Sequence, residues 1–223
     1  MSIYVETSAK SLKKYGEELC GDKVEMIRSN DKVTVVLADG LGSGVKANIL
    51  ATLTSKIAAT MLSEGADIVE VVETIVSTLP VCKVREIAYS TFSILQVDNN
   101  GLARLVEFDN PEALLLRDGK EVKIEKKTMD VEGKMIRESN FTMKPGDACI
   151  LFSDGAVHAG VGKLLNFGWQ RANIVEYMDN YYKTDMPARQ ITSQLLSACN
   201  SLYTDQPGDD TTVVTVKVCL DKP

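Results

Sequence analysis

The sequence predicts an α+β fold, a mostly antiparallel sheet system with helices on its outer faces. Three observations predict it. Strand patterns come in runs, over residues 20–39 and again from 90 to 153, rather than singly between helices. Helical periodicities come in two pairs, one between those runs and one after them. Turn residues separate the elements, and no repeat, low-complexity segment or linker interrupts 1–223, which reads as one domain.

Taken in order, residues 20–28 and 32–39 form two strands joined by a tight turn at Asn30-Asp31. The second, Val33-Thr34-Val35-Val36-Leu37-Ala38, is nearly continuous apolar sequence, which suits a strand covered on both faces. A glycine-rich break, Gly40-Leu41-Gly42-Ser43-Gly44, leads into a helix. There Val45, Ile49, Leu53, Ile57 and Met61 recur every four residues, a stripe expected to face a core, and Glu64-Gly65 stops it. Asp67 and Glu70 stand at N-cap and N3 spacing and open the next helix. Ile68, Val71, Val72, Ile75, Val76 and Leu79 fill one of its faces, and Pro80 closes it. Strands follow at 90–97, 101–108, 113–117, 120–126, 135–143 and 147–153, parted by turn residues such as Asn99-Asn100-Gly101 and Pro145-Gly146-Asp147. Helices are expected at 170–182 and 187–202, the latter marked by Ile191, Leu195, Leu196 and Leu202. Residues 209–218 close the chain as a strand.

Composition narrows the function classes. Hydrophobic residues make up 44 % and charged residues 25 %, a globular balance that excludes disorder. The formal charge of −6, with no basic run, argues against a nucleic-acid partner. No apolar stretch approaches the roughly 18 residues of a membrane span, and the N-terminus lacks a signal peptide's apolar segment. The five cysteines form no CxxC pair, so buried thiols of a cytoplasmic protein are expected rather than disulfides or a zinc site. Only about 20 residues precede Asp22, so no sensor domain is expected in front.

The chemistry lies in aspartates beside glycine at strand ends: Gly21-Asp22, Asp39-Gly40, Asp154-Gly155 and Gly208-Asp209-Asp210. A single Asp-Gly is ordinarily a turn. Register sharpens the case. If Asn30-Asp31 is a two-residue hairpin turn, residues whose numbers sum to 61 face each other, and Asp22 and Asp39 do (22 + 39 = 61). Directly opposed side chains have Cβ atoms about 4.5–5.5 Å apart, where like charges repel. Such a pair needs a cation between its members, or one must take up a proton. A bulge or a longer turn would undo this register. All-oxygen donors suit Mg²⁺ or Mn²⁺ rather than zinc. Several carboxylates can hold two such ions about 3.5–4 Å apart, the arrangement that activates water for in-line phosphoryl displacement. The sequence therefore points to phosphoester hydrolysis.

Asp22, Asp39-Gly40-Leu41-Gly42-Ser43-Gly44 with Ala47, Ser153-Asp154-Gly155 and Asp209-Asp210-Thr211 resemble the ordered motifs of the metal-dependent protein serine/threonine phosphatases, the PPM family. They are most similar to its bacterial, stage II sporulation protein E-type branch. Glu107-Phe108-Asp109-Asn110-Pro111, followed by Leu114 to Gly119, is similar to that branch's central hairpin. The resemblance covers about residues 18–218. It implies an αββα sandwich with a binuclear site of two Mn²⁺ or Mg²⁺ ions at one end of the sheets. By position, Asp39 would bridge both ions and the Gly40 carbonyl would bind one. Asp154 and Asp209 would hold the first ion, and Asp22 the second, partly through water. Strand alternation leaves Asp209 and Asp210 both open; the family pattern favours Asp209. The implied substrates are phosphorylated regulatory proteins of anti-anti-sigma or stressosome type.

Leu41 stands where many family members carry a His, so no proton donor is assigned. His158, four residues past Asp154, reads as a surface or packing residue, and Ala156-Val157 provide no acidic ligand for a third ion. Gly42, Ser43 and Gly44 permit the strand-to-helix turn, with Ser43 as N-cap, and their N–H groups are expected to help hold substrate phosphate. Their spacing to Lys46 does not fit a nucleotide-binding P-loop. Two rivals remain: a phosphoprotein-binding module of the same fold without turnover, and a nucleotide-binding regulator. Regulation is expected through expression, through a partner, or through the helical hairpin at 44–79, which adjoins the metal loop.

Overall fold

The computed structural model describes residues 3–79, 81–82, 87–88 and 90–220. In chain order the elements are β1 (Ile3–Leu12), β2 (Asp22–Arg28), β3 (Lys32–Gly40), α1 (Gly44–Ser63), α2 (Ile68–Thr78), β4 (Val81–Cys82), β5 (Ile87–Ala88), β6 (Ser90–Asp98) and β7 (Leu102–Phe108). They continue with β8 (Leu114–Arg117), β9 (Lys120–Val122), β10 (Lys127–Val131), β11 (Lys134–Thr142), β12 (Ala148–Phe152), α3 (Asp154–Val157), α4 (Gln170–Tyr181), α5 (Ala188–Leu202) and β13 (Thr211–Leu220).

Two antiparallel sheets stack face to face. One has the strand order β1-β13-β12-β8-β9 and the other β10-β11-β7-β6-β3-β2. Their facing sides share a core of Val35, Leu37, Leu95, Leu105, Leu151 and Val216. The outer face of the six-stranded sheet packs Val36, Ala38, Phe92 and Ile94 against α1 and α2. The outer face of the five-stranded sheet packs Leu114, Ile150, Phe152 and Val213 against α4 and α5. This is the α+β architecture of two sheets between two helical pairs, and β3 is covered on both faces as its apolar run requires.

The hairpin register is the one the sequence predicts. Ser29 donates its N–H to the Lys32 carbonyl around Asn30-Asp31, and the pairs run Arg28↔Val33 through to Asp22↔Asp39. Asp67 caps α2 by accepting the Val69 N–H at 2.9 Å. Pro80, expected to close that helix, lies outside the described residues. Among the described residues no helix is long and apolar enough to cross a membrane, and Cys20, Cys149, Cys199 and Cys219 are free thiols.

One element is additional to those expected, and three expectations are corrected. The N-terminal segment is a full strand, β1, although it is mostly polar: it lies at a sheet edge against β13, and only Val5 is deeply buried. The strand expected over 120–126 ends at Val122, and a further edge strand, β10, begins at Lys127. Ser43 occupies the backbone N-cap position of α1 without a side-chain cap; its hydroxyl donates to Glu17 Oε1 at 2.7 Å instead. The first three residues of the period-four stripe of α1 do not face the core: Val45, Ile49 and Leu53 are 56, 54 and 48 % exposed, whereas Ile57 and Met61 are partly buried against it. The buried face is Ala47, Leu50, Ala51, Thr54, Ser55, Ala58 and Leu62. Small residues let the helix lie close on β2 and β3, and close approach wins over the larger side chains.

Candidate metal centre

β2 begins, and β3 and β12 end, at one end of the sandwich, where β13 also starts. Asp22 opens β2 and lies directly opposite Asp39 near the end of β3. Across the sheet interface, Asp154 opens α3 just after β12, and Asp209 lies just before β13. Neither Gly40 nor Gly155 adopts a positive φ, so these Asp-Gly pairs are not left-handed turns. Each glycine is required by packing. A Cβ on Gly40 would lie 2.0 Å from the Ala47 carbonyl oxygen of α1, and one on Gly155 2.1 Å from the Asp210 carbonyl oxygen.

Hydrogen bonds tie the two sheets together beneath the site. Asp22 Oδ2 accepts from Ser153 Oγ at 2.7 Å and from Thr212 Oγ1 at 2.6 Å, while Ser153 Oγ accepts the Thr212 N–H at 2.8 Å. Asp22 Oδ1, on a side chain only 4 % exposed, has no partner. Asp210 turns away and binds backbone, accepting the Lys14 N–H at 2.9 Å and the Gly21 N–H at 2.8 Å. That leaves Asp209 at the wall of a cavity of about 350 Å³, with Asp39, Gly40, Asp154, Asp109 and Lys14. Gly42 and Ser43 line it as well, whereas Gly44 backs onto the Glu17 carboxylate. Asp109 and Asp154 also border a second cavity of about 700 Å³. His158 opens onto that second cavity, half exposed, with Nδ1 3.9 Å from Asp154 Oδ2.

The electrostatics of the cluster are unfavourable by themselves. Burial pushes the Asp39 carboxyl far above the usual carboxylate range, and the charges of Asp22, Asp154 and Asp209 push it further. Asp22 is raised for the same first reason, against the pull of its Thr212 and Ser153 hydrogen bonds. Asp209 is raised to about 6 by burial and by Asp154, partly offset by Lys14. Among the described residues, no group of three or more His, Cys, Asp or Glu side chains is drawn together tightly enough to hold an ion as it stands. The donor chemistry nevertheless fits a hard divalent cation: the facing groups are carboxylate oxygens, their negative charge is uncompensated, and one buried oxygen is orphaned.

Of the residues expected from the sequence, Asp39, Gly40, Asp154 and Asp209 meet around one cavity, and Asp22 lies buried behind Asp39. Sequence reasoning missed Lys14 and Asp109. Asp109 has φ 49°, a conformation Asp tolerates better than most residues, and its hints were the turn signal of Asn110-Pro111 and its place in the hairpin motif. Lys14 carried no signal, being one lysine of a polar segment.

The pattern of the stage II sporulation protein E (SpoIIE) family matches residues 29–219, a span that leaves Asp22 outside it. The stage II sporulation protein E of Bacillus subtilis (strain 168) is 24 % identical over 231 residues, covering 100 % of this chain. This chain spans only 27 % of that relative's length. A solved structure of the PP2C phosphatase domain of SpoIIE with a fragment of its regulatory domain, also from Bacillus subtilis, superposes with a TM-score of 0.83 at 24 % identity. It covers 100 % of this chain and 65 % of its own. The structure of RsbX in complex with magnesium superposes with a TM-score of 0.67 at 20 % identity, covering 96 % of this chain and 95 % of its own. The shared architecture is the PP2C phosphatase fold.

Proposed function

Since the chain belongs to the stage II sporulation protein E family, we propose that it is a metal-dependent protein serine/threonine phosphatase acting in the cytoplasm. The observation that carries the reading is the Asp22–Asp39 pair, opposed in register with an orphaned oxygen and faced by Asp154 and Asp209. Asp39, the Gly40 carbonyl, Asp154 and Asp209 would hold one divalent ion, and Asp39 with Asp22 a second. Mn²⁺ and Mg²⁺ both suit these donors, and the magnesium held by RsbX supports the choice of class. Bound ions of this kind supply Lewis acidity, acidifying water and neutralising charge on phosphoryl oxygens.

The chain's own residues set the rest. Ser153 and Thr212 fix the Asp22 carboxylate by donating to Oδ2. Cys149 and Cys199 offer no nucleophile: burial raises both, which holds them as unreactive thiols. We assign the substrate as a phosphorylated regulatory protein of anti-anti-sigma or stressosome type. The large cavity adjoining Asp154 leaves room for polypeptide beside the phosphorylated side chain. Remote contacts there would favour a phosphoprotein over a free nucleotide.

The test is hydrolysis of p-nitrophenyl phosphate. The reading expects turnover with Mn²⁺ or Mg²⁺, its loss in EDTA and its return with excess metal, while alkylating the thiols under native conditions leaves the rate unchanged. Metal-independent turnover, or a trapped ³²P-labelled protein, would overturn it. Binding of a phosphoprotein without turnover would instead support the non-catalytic module.

A further inference from the structure

Helices α4 and α5 each end on a buried tyrosine, Tyr182 and Tyr203, as the C-cap residue. Each hydroxyl donates to the carbonyl of a glycine beside one of the two aspartates that flank β12. Tyr182 reaches Gly146, just before Asp147. Tyr203 reaches Gly155, just after Asp154, at 2.7 Å. Resting on the metal-centre part of the phosphatase reading, we propose that the Tyr203 hydroxyl is a positioning group that sets the spacing of the Asp154 and Asp209 carboxylates for one divalent cation.

Tyr203 touches both segments that carry these carboxylates. On one side, its bond to the Gly155 carbonyl fixes the peptide plane between Gly155 and Ala156, in α3, a helix of only four residues. A helix that short depends on bonds from outside itself. On the other side, the tyrosine ring lies against Gly208, where an added Cβ would be 3.5 Å from Cε1. Thr211, whose hydroxyl donates to the Asp209 carbonyl at 3.2 Å, also interacts with the Tyr203 hydroxyl. The backbone of the brace is held as well: Lys163 Nζ, from the loop after α3, donates to the Tyr203 carbonyl at 2.5 Å and to the Gln206 carbonyl at 2.8 Å. The brace works against repulsion, since after burial the Asp154 charge is the next cause that raises the Asp209 carboxyl. Two like charges on separate turns spread apart unless held, and an incoming ion then has to draw them together. Holding them in place beforehand removes that cost and raises affinity. At the other end of β12, Arg117 already pairs with Asp147, so the Tyr182 bond there serves the fold alone.

The experiment titrates the full chain with Mn²⁺ and follows the free ion by electron paramagnetic resonance, for wild type, Tyr203→Phe and Tyr182→Phe, with thermal melts of each in EDTA. Both substitutions strip a hydroxyl from a glycine carbonyl, so both should melt about 2–6 °C below wild type. Only Tyr203→Phe should weaken Mn²⁺ binding, by roughly tenfold, the scale of losing a group that orients a ligand. Tyr182→Phe should stay within about threefold. In Tyr203→Phe, hydrolysis of p-nitrophenyl phosphate should need correspondingly more Mn²⁺ to reach half its maximal rate. At saturating Mn²⁺ that rate should return to within about threefold of wild type. Thr211→Val, which removes the other hydroxyl of the brace, should weaken Mn²⁺ binding too, and it decides the matter if Tyr203→Phe does not fold. Unchanged Mn²⁺ affinity in folded Tyr203→Phe would overturn the inference. So would an equal loss in Tyr182→Phe, because affinity would then only follow stability. Wild type that binds no Mn²⁺ would overturn it together with the metal centre, whereas wild type that binds Mn²⁺ without turnover would overturn the catalytic reading and leave the brace standing.

Discussion

Strand β12 has an aspartate beyond each end, and the two ends are built on opposite terms. At the start, Asp147 is 2 % exposed and fully partnered. Arg117 Nε donates to its Oδ1 at 3.0 Å, Arg117 Nη2 to its Oδ2 at 2.6 Å, and the Lys144 N–H to Oδ2 at 2.7 Å. At the finish, Asp154 joins Asp22, Asp39 and Asp209, where one buried oxygen is orphaned and burial, with neighbouring negative charge, raises the carboxyls of Asp22, Asp39 and Asp209. Where a carboxylate here serves the fold, the chain supplies the guanidinium. At the other end, among the described residues lining the cavity, Lys14 faces Asp39, Asp109, Asp154 and Asp209, and the balance has to come from outside as cation or proton.

The largest effect should follow from Asp39→Asn, which removes the carboxylate facing all the others. Metal-dependent hydrolysis of p-nitrophenyl phosphate should fall by roughly a hundredfold or more, beyond the range of outer-shell changes. Arg117→Met tests the opposite end. It leaves Asp147 buried and uncompensated, so unfolding free energy should drop by about 3 kcal/mol, the low end of the range because Arg117 is partly exposed. Turnover per folded molecule should not change. A loss of turnover in Arg117→Met with unchanged urea stability would erase the distinction between the two ends.

A pH series sharpens the same contrast. In metal-free folded protein the raised carboxyls keep protons that the unfolded chain releases near pH 4, so the native state binds more protons. Stability then falls as pH rises from about 4 through the Asp209 value of about 6. In EDTA the melting temperature should decline by roughly 3–6 °C between pH 5 and 8. Saturating Mn²⁺ should cancel that decline, because the ion needs ionised donors. The slope should survive in Arg117→Met and flatten in Asp39→Asn. The smallest effect is expected from Ser153→Ala, which removes one donor to Asp22 and one acceptor for the Thr212 N–H and should cost about 1 kcal/mol in EDTA melts.

Much of the carboxylate end was legible because strand pairing is arithmetic: a two-residue turn at Asn30-Asp31 forces Asp22 opposite Asp39. The helical pairs were legible from capping and periodicity, as at Asp67 and α5. Periodicity failed on the first half of α1, where Ala47 and Ala51 face the sheet and Val45, Ile49 and Leu53 face out. A hydrophobic stripe reports apolar surface and not which side packs more closely. β1 was hidden because an edge strand with a single deeply buried side chain need not alternate cleanly. Strand alternation alone could not tell Asp209 from Asp210, and only the family pattern favoured Asp209; hydrogen bonds from Lys14 and Gly21, distant in the chain, distinguish them physically. Lys14 was hidden for the same reason, since its place depends on a contact 196 residues away.

Thermal melts of wild type and Asp39→Asn, in EDTA and then with Mn²⁺, test most directly whether this end of the sandwich is built for a cation. In EDTA the substitution removes one like charge, so the variant should be as stable as wild type or more stable by about 0.5–2 kcal/mol. Added Mn²⁺ should raise the wild-type melting temperature clearly and the variant's much less. A variant that melts well below wild type in EDTA would contradict this, showing that Asp39 serves the fold as a hydrogen-bond acceptor, as Asp147 does at the other end of β12.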